Sequence, residues 1–137
     1  MIKKTINYTD FDGKERSEDF YFNLTKRELA ELNLRYPNND GLKGYVEKIV
    51  KEQNVRKVYE TIKEIVLLSY GIKSDDGKHF NKSKAISNDF VNTMAFDELI
   101  MSFFGETEDE AKEGAEELSR FVQGILPANA NVGDANS

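Results

Sequence analysis

The residues of this chain whose types could do chemistry fall into a few groups, and each group lacks a partner that its chemistry requires. Asp10-Phe11-Asp12-Gly13, with Glu15 and Glu18 close behind, gathers carboxylates in the manner of a calcium loop. An EF-hand loop needs alternating oxygen ligands, a central glycine and a closing bidentate glutamate between two helices. Here the glycine stands at the wrong offset and the flanking residues alternate as strands do. Ser74-Asp75-Asp76-Gly77 fails in the same way. His79 is the sole histidine, and no serine elbow, second histidine or thiol accompanies it as nucleophile or ligand. The acidic run from Glu106 to Glu117 offers paired carboxylates for hydrolysis, but at helical spacing they lie opposite an apolar stripe and read as a solvated face. Gly41 and Gly44 lack the Gly-Lys-Ser/Thr of a phosphate loop and follow no strand. With no cysteine, disulfides, thiolate metal sites and a cysteine nucleophile are excluded. These residues predict a binding protein with no catalytic centre, no metal site and no cofactor.

Size and charge narrow the partner. A chain of 137 residues can bury about two-thirds of the surface it exposes when unfolded, enough for a core. Net charge is -6, and it is unevenly spread: residues 1–70 carry 13 basic and 12 acidic side chains, residues 71–137 carry 6 and 13. An acidic surface does not displace phosphate counterions, so no nucleic-acid partner is expected. The longest apolar run, Ile65 to Leu68, is far short of the roughly 20 residues of a membrane span. Met1-Ile2-Lys3-Lys4 leads into alternating residues rather than an apolar run with a cleavage site, which predicts no secretion.

Residues 2–24 read as a β-hairpin. A three-residue loop, Phe11-Asp12-Gly13, pairs Ile2 with Phe22 and Lys4 with Phe20, and so sets Ile2, Ile6, Tyr8, Phe20 and Phe22 on one face. Thr25-Lys26-Arg27-Glu28 is a capping box that opens a first helix, with Leu24 placed to staple onto Leu29. Pro37 and Asn38-Asn39-Asp40-Gly41 end it. A second helix is expected from about Leu42 to Gln53. Asn54 caps a third, in which Val55, Val58, Tyr59, Ile62, Ile65, Val66 and Ser69 keep helical spacing until Gly71 closes it. Lys73 to Lys78 forms a turn, a short hairpin if Ile72 and Phe80 flank it. Ser87 caps a fourth helix to about Phe104. Thr107-Glu108-Asp109-Glu110 opens a fifth, with Ala111, Ala115, Leu118, Phe121, Val122 and Ile125 in one stripe, and Pro127 stops it. The expected architecture is α+β, mostly α: an N-terminal hairpin packed on four to five helices in one domain over residues 1–127. Residues 128–137 have almost nothing apolar to bury and read as a flexible tail.

The fourth helix has the most unusual composition. Ten of the fifteen residues from Phe90 to Phe104 are apolar, and together they cover nearly the whole helix circumference. Such a helix is either a central core element or a docking surface built from aromatics and Met. If its cover is incomplete, the exposed strip is Phe96, Leu99, Ile100 and Phe103, which cluster within about 100°.

In order and spacing, Tyr8 to Gly13, Glu18 to Lys26, Ser69-Tyr70-Gly71 through Ser74 to Lys78, and Phe121 to Pro127 resemble small proteins from siphophages and prophages of Gram-positive bacteria. These are tail assembly chaperones. The resemblance spans most of residues 1–127 and departs at Glu106 to Glu117, where this chain is longer. It implies a non-enzymatic protein of the bacterial host cytoplasm, absent from the mature virion. Its implied partner is the tape measure protein, a long helical client kept soluble while the tail tube forms; the strip Phe96, Leu99, Ile100 and Phe103, read from helical spacing, is the expected surface for that client. It also implies self-association or pairing with a longer frameshifted form. The alternative is a structural tail component retained in the virion, its hairpin adding edge to edge in a ring.

Overall fold

Alternation of apolar and polar residues produces the first two strands, β1 (Ile2–Thr9) and β2 (Glu15–Phe22), in a computed structural model that describes residues 1–127. Their register pairs Ile2 with Phe22 and Lys4 with Phe20, as parity requires. Gly13 takes φ +82, the left-handed conformation that closes the three-residue loop. Every second side chain of the hairpin therefore faces one layer, where Ile6 and Phe22 are buried.

Helix α1 (Lys26–Asn33) starts on the expected capping box: Thr25 Oγ1 accepts from the Glu28 N–H at 3.1 Å, and the Glu28 carboxylate accepts from the Thr25 N–H at 2.9 Å. A 3-10 turn at Pro37–Asn39 leads into α2 (Gly41–Lys51). The Asn54 side chain then accepts from the Lys57 N–H at 3.1 Å and opens α3 (Val55–Ser69). This helix stops one residue earlier than Gly71 suggests, because Tyr70 is already extended at φ -69, ψ 139.

The short hairpin expected around Lys73 to Lys78 forms from β3 (Tyr70–Lys73) and β4 (Phe80–Asn81). Two features depart from the sequence reading, and the first is that β3 joins β2 through Tyr21 opposite Gly71 and Phe22 opposite Tyr70. The two hairpins thus form one antiparallel sheet in the order β1-β2-β3-β4. Gly71 makes room for the Phe80 ring of β4, since a Cβ there would stand 2.6 Å from that ring.

The second departure is the expected fourth helix, which is two: α4 (Lys84–Val91), capped by Ser83, and α5 (Met94–Met101), capped by Thr93. Thr93 makes the break, since its hydroxyl donates to the Phe90 carbonyl at 2.7 Å and accepts from the Phe96 N–H at 3.2 Å. Ser87 is no cap; its hydroxyl donates to the Leu67 carbonyl at 3.1 Å and ties α4 to α3. The apolar girth read from the sequence is therefore shared by two helices that each bury their own side.

Helix α6 (Glu108–Ile125) starts on the second capping box, Thr107 with Glu110. Its buried stripe is Gly114, Leu118, Phe121, Val122 and Ile125, with Ala111 exposed and Gly114 in its place. The core lies between the inner sheet face and the helices, with Leu32 of α1 and Leu42 and Val46 of α2 joining the buried residues of α3 to α6. Phe22 meets Phe121 edge-on at 5.2 Å, Phe90 stacks on Tyr70 at 4.2 Å, and Phe96 meets Phe90 edge-on at 5.5 Å. Each fully buried Phe contributes about 1.5–3 kcal/mol of transfer free energy. Segment 128–137, expected to be flexible, lies outside the described residues.

Candidate functional site

The groups with possible chemistry are occupied with turns. The Asp10 carboxylate accepts from the N–H groups of Asp12 and Lys14, both at 2.9 Å, and from Arg16 at 2.6 Å. The Arg16 hydrogen bond, then that of Lys14, holds its carboxyl below the usual range. Asp76 does the same work in the β3–β4 turn, accepting from the Lys78 N–H and the Ser74 hydroxyl. His79 is exposed beside that turn. Among the described residues no three His, Cys, Asp or Glu side chains converge to hold a metal ion.

The four candidate docking residues are not at the surface. Phe96, Leu99, Ile100 and Phe103 are all at most 6% exposed, and the strip expected to be open is a core strip. The reason is the break at Thr93, which lets α5 lie along β1 while Phe103 turns edge-on against Phe121 at 5.4 Å. Their clustering on one side of the helix was legible; which side would be covered was not, because the sheet and α6 that cover it come from both ends of the chain.

Exposed apolar residues are scattered, with Phe11 and Leu34 the most open, and three of them fall at the start of α3 and the end of α5. Val55 is 66% exposed, Tyr59 43% and Met101 62%, and the Tyr59 ring stands 6.2 Å from that of half-buried Phe104. Val55 and Tyr59, one helical turn apart, share a face of α3 with buried Val66. They carry the inward spacing expected of them, but cover is missing at the start of α3.

Beside Phe104 opens a cleft of about 440 Å³ between the end of α5 and α6, walled by Ser102, Phe104 and Gly114 and rimmed by Glu110, Glu113, Glu116, Glu117 and Arg120. Gly114 sets its shape, since a Cβ there would stand 2.5 Å from the Phe103 carbonyl oxygen and push α6 off the Phe103-Phe104 turn. Glu113 and Glu116 form no ion pair among the described residues. Glu117, at the far end, is held by Lys4 and, at 2.7 Å, by Arg120. The Lys4 hydrogen bond, then that of Arg120, keeps the Glu117 carboxyl below the usual range.

Two further surfaces stand apart. A shallow groove between α2 and α6 is lined by Val46, Val50, Ala115 and Val122. On the sheet, β2 meets β3 only at Tyr21 and Phe22, so the outward backbone groups of Glu15, Ser17 and Asp19 face no strand. Lys82 closes the opposite end of the sheet, donating to the Asn23 carbonyl at 2.6 Å and to Glu28 at 2.8 Å. Burial opposes ionisation of Glu28, but the hydrogen bonds from Lys82 and from the Thr25 N–H outweigh it and hold the carboxyl below the usual range.

The described surface is thus one for contact, with apolar and acidic groups exposed together, and no described helix is long and apolar enough to cross a membrane. No curated protein and no solved structure matches the chain. A family model does, over residues 1–133, and its description is phage tail assembly chaperone. Since the match takes in both hairpins and all six helices, the chain belongs to the phage tail assembly chaperone family.

Proposed function

We propose that this protein binds the tape measure protein of a long-tailed phage and keeps that helical client soluble while the tail tube assembles around it. The observation that carries the reading is the family match over residues 1–133. It is supported by an apolar strip left open beside unpaired carboxylates, the combination a transient contact with an amphipathic helix requires. The protein acts by binding, in the cytoplasm of the bacterial host, with no cofactor, and leaves before the virion is complete. The phage class is that of siphophages and prophages of Gram-positive bacteria, and a longer frameshifted form is the natural partner for self-association.

A second reading is favoured by the open edge of β2: a structural tail component that stays in the particle and adds edge to edge through the hairpin. Mass spectrometry of purified virions separates the two. The chaperone reading expects tail tube protein in abundance and this chain absent; stoichiometric recovery of the chain from washed particles would establish the structural reading instead.

A further inference from the structure

Resting on the chaperone reading for the partner's identity, we infer that the strip Tyr59, Met101 and Phe104, with the cleft rimmed by Glu110, Glu113 and Glu116, is the docking face for an amphipathic helix carrying Lys or Arg beside its apolar stripe. Three observations converge on that occupant. Tyr59 of α3 stands over the half-buried Phe104 ring, which itself lines the cleft, so apolar surface runs from α3 into the cleft, and Met101 is exposed at the end of α5. Aromatics with Met are the side chains of adaptable contacts. The cleft that continues the strip along α6 is lined by Glu110, Glu113, Glu116 and Glu117 against the single cation Arg120, which is paired with Glu117, while Glu113 and Glu116 form no ion pair among the described residues; Glu108 and Asp109 stand with Glu110 in the first turn of the same helix. Uncompensated carboxylates bordering an apolar strip repel an acidic helix and attract a basic one, which sets partner choice and orientation more than raw affinity.

The test uses the isotope-labelled full chain and a synthetic helical peptide with Leu on one face and Lys flanking it, beside the same peptide with Glu in place of Lys. The expected result is that the Lys peptide shifts backbone amide signals at the start of α3, the end of α5 and the first half of α6. Binding should fall about tenfold in Tyr59→Ser/Met101→Ser, with the melting temperature unchanged, and fall again in Glu113→Gln/Glu116→Gln. Leu34→Ser, at an exposed residue elsewhere, should change nothing. The inference is overturned if neither peptide binds, if both bind alike, or if the shifts centre on the α2–α6 groove or the β2 edge. Broadening of the strip's signals with protein concentration alone would overturn it in favour of a second copy. If the wild-type chain and Tyr59→Ser/Met101→Ser solubilise tape measure fragments equally, the docking face is wrong and the chaperone reading stands. If neither solubilises them while the Lys peptide binds as expected, the chaperone reading fails and the docking face stands.

Discussion

At the scale of single residues, two carboxylates join distant parts of the chain. Glu117 brings α6 to Lys4 of β1, and Glu28 brings the start of α1 to Lys82 after β4. Both are ionised more readily in the folded protein than in the unfolded chain. A depressed folded pKa contributes stability that is present above the unfolded value of about 4.3 and is lost as pH falls through the folded value. Glu117→Gln should therefore cost about 1 kcal/mol at neutral pH, between the exposed and buried limits for ion pairs. Chemical denaturation at stepped pH should show that cost shrinking toward zero below the carboxylate range. A cost that stays constant with pH would assign Glu117 a packing role. Phe103→Ala tests the corrected strip: truncation of a buried Phe costs about 3–5 kcal/mol, so thermal unfolding should shift steeply downward. Unchanged stability would return Phe103 to the surface. The residue types and their common helix face were legible in the sequence; their burial depends on β1 and α6, far away along the chain.

At the scale of elements, legibility follows the strength of the local signal. Thr25 and Thr107 announce their helices because Glu stands three residues on, and both capping boxes form. Ser83 and Thr93 cap equally well but have Ile86 and Phe96 at that position, so nothing local distinguishes them from Ser87. Thr93→Ala should cost about 1 kcal/mol, read from denaturant midpoints, with Ser restoring most of it. A neutral result would mean that packing alone sets the α4–α5 break. The joining of β3 to β2 was hidden because it rests on two residue pairs about fifty residues apart in the chain. Gly114→Ala sets two effects against each other. Alanine favours a helix interior by about 1 kcal/mol, whereas a methyl 2.5 Å from a backbone carbonyl costs roughly 1–3 kcal/mol. The clash should win, giving a lower melting temperature; a higher one would show that α6 can shift without loss.

At the scale of the whole molecule, the α+β class and the hairpin register follow from patterning that local physics enforces. The working surface does not, since it is defined by where cover runs out, at the start of α3 and the end of α5. Family membership supplies the assembly role, and the open apolar and acidic face supplies a physical means of performing it. The central claim is that this chain keeps a tape measure protein soluble, and co-expression tests it most directly. The tape measure gene of the same phage is expressed alone and with this chain, and the supernatant fraction is measured after high-speed centrifugation. The account predicts insoluble tape measure protein alone and a soluble complex with this chain bound. Equal insolubility in both cultures, with this chain free in the supernatant, would contradict it.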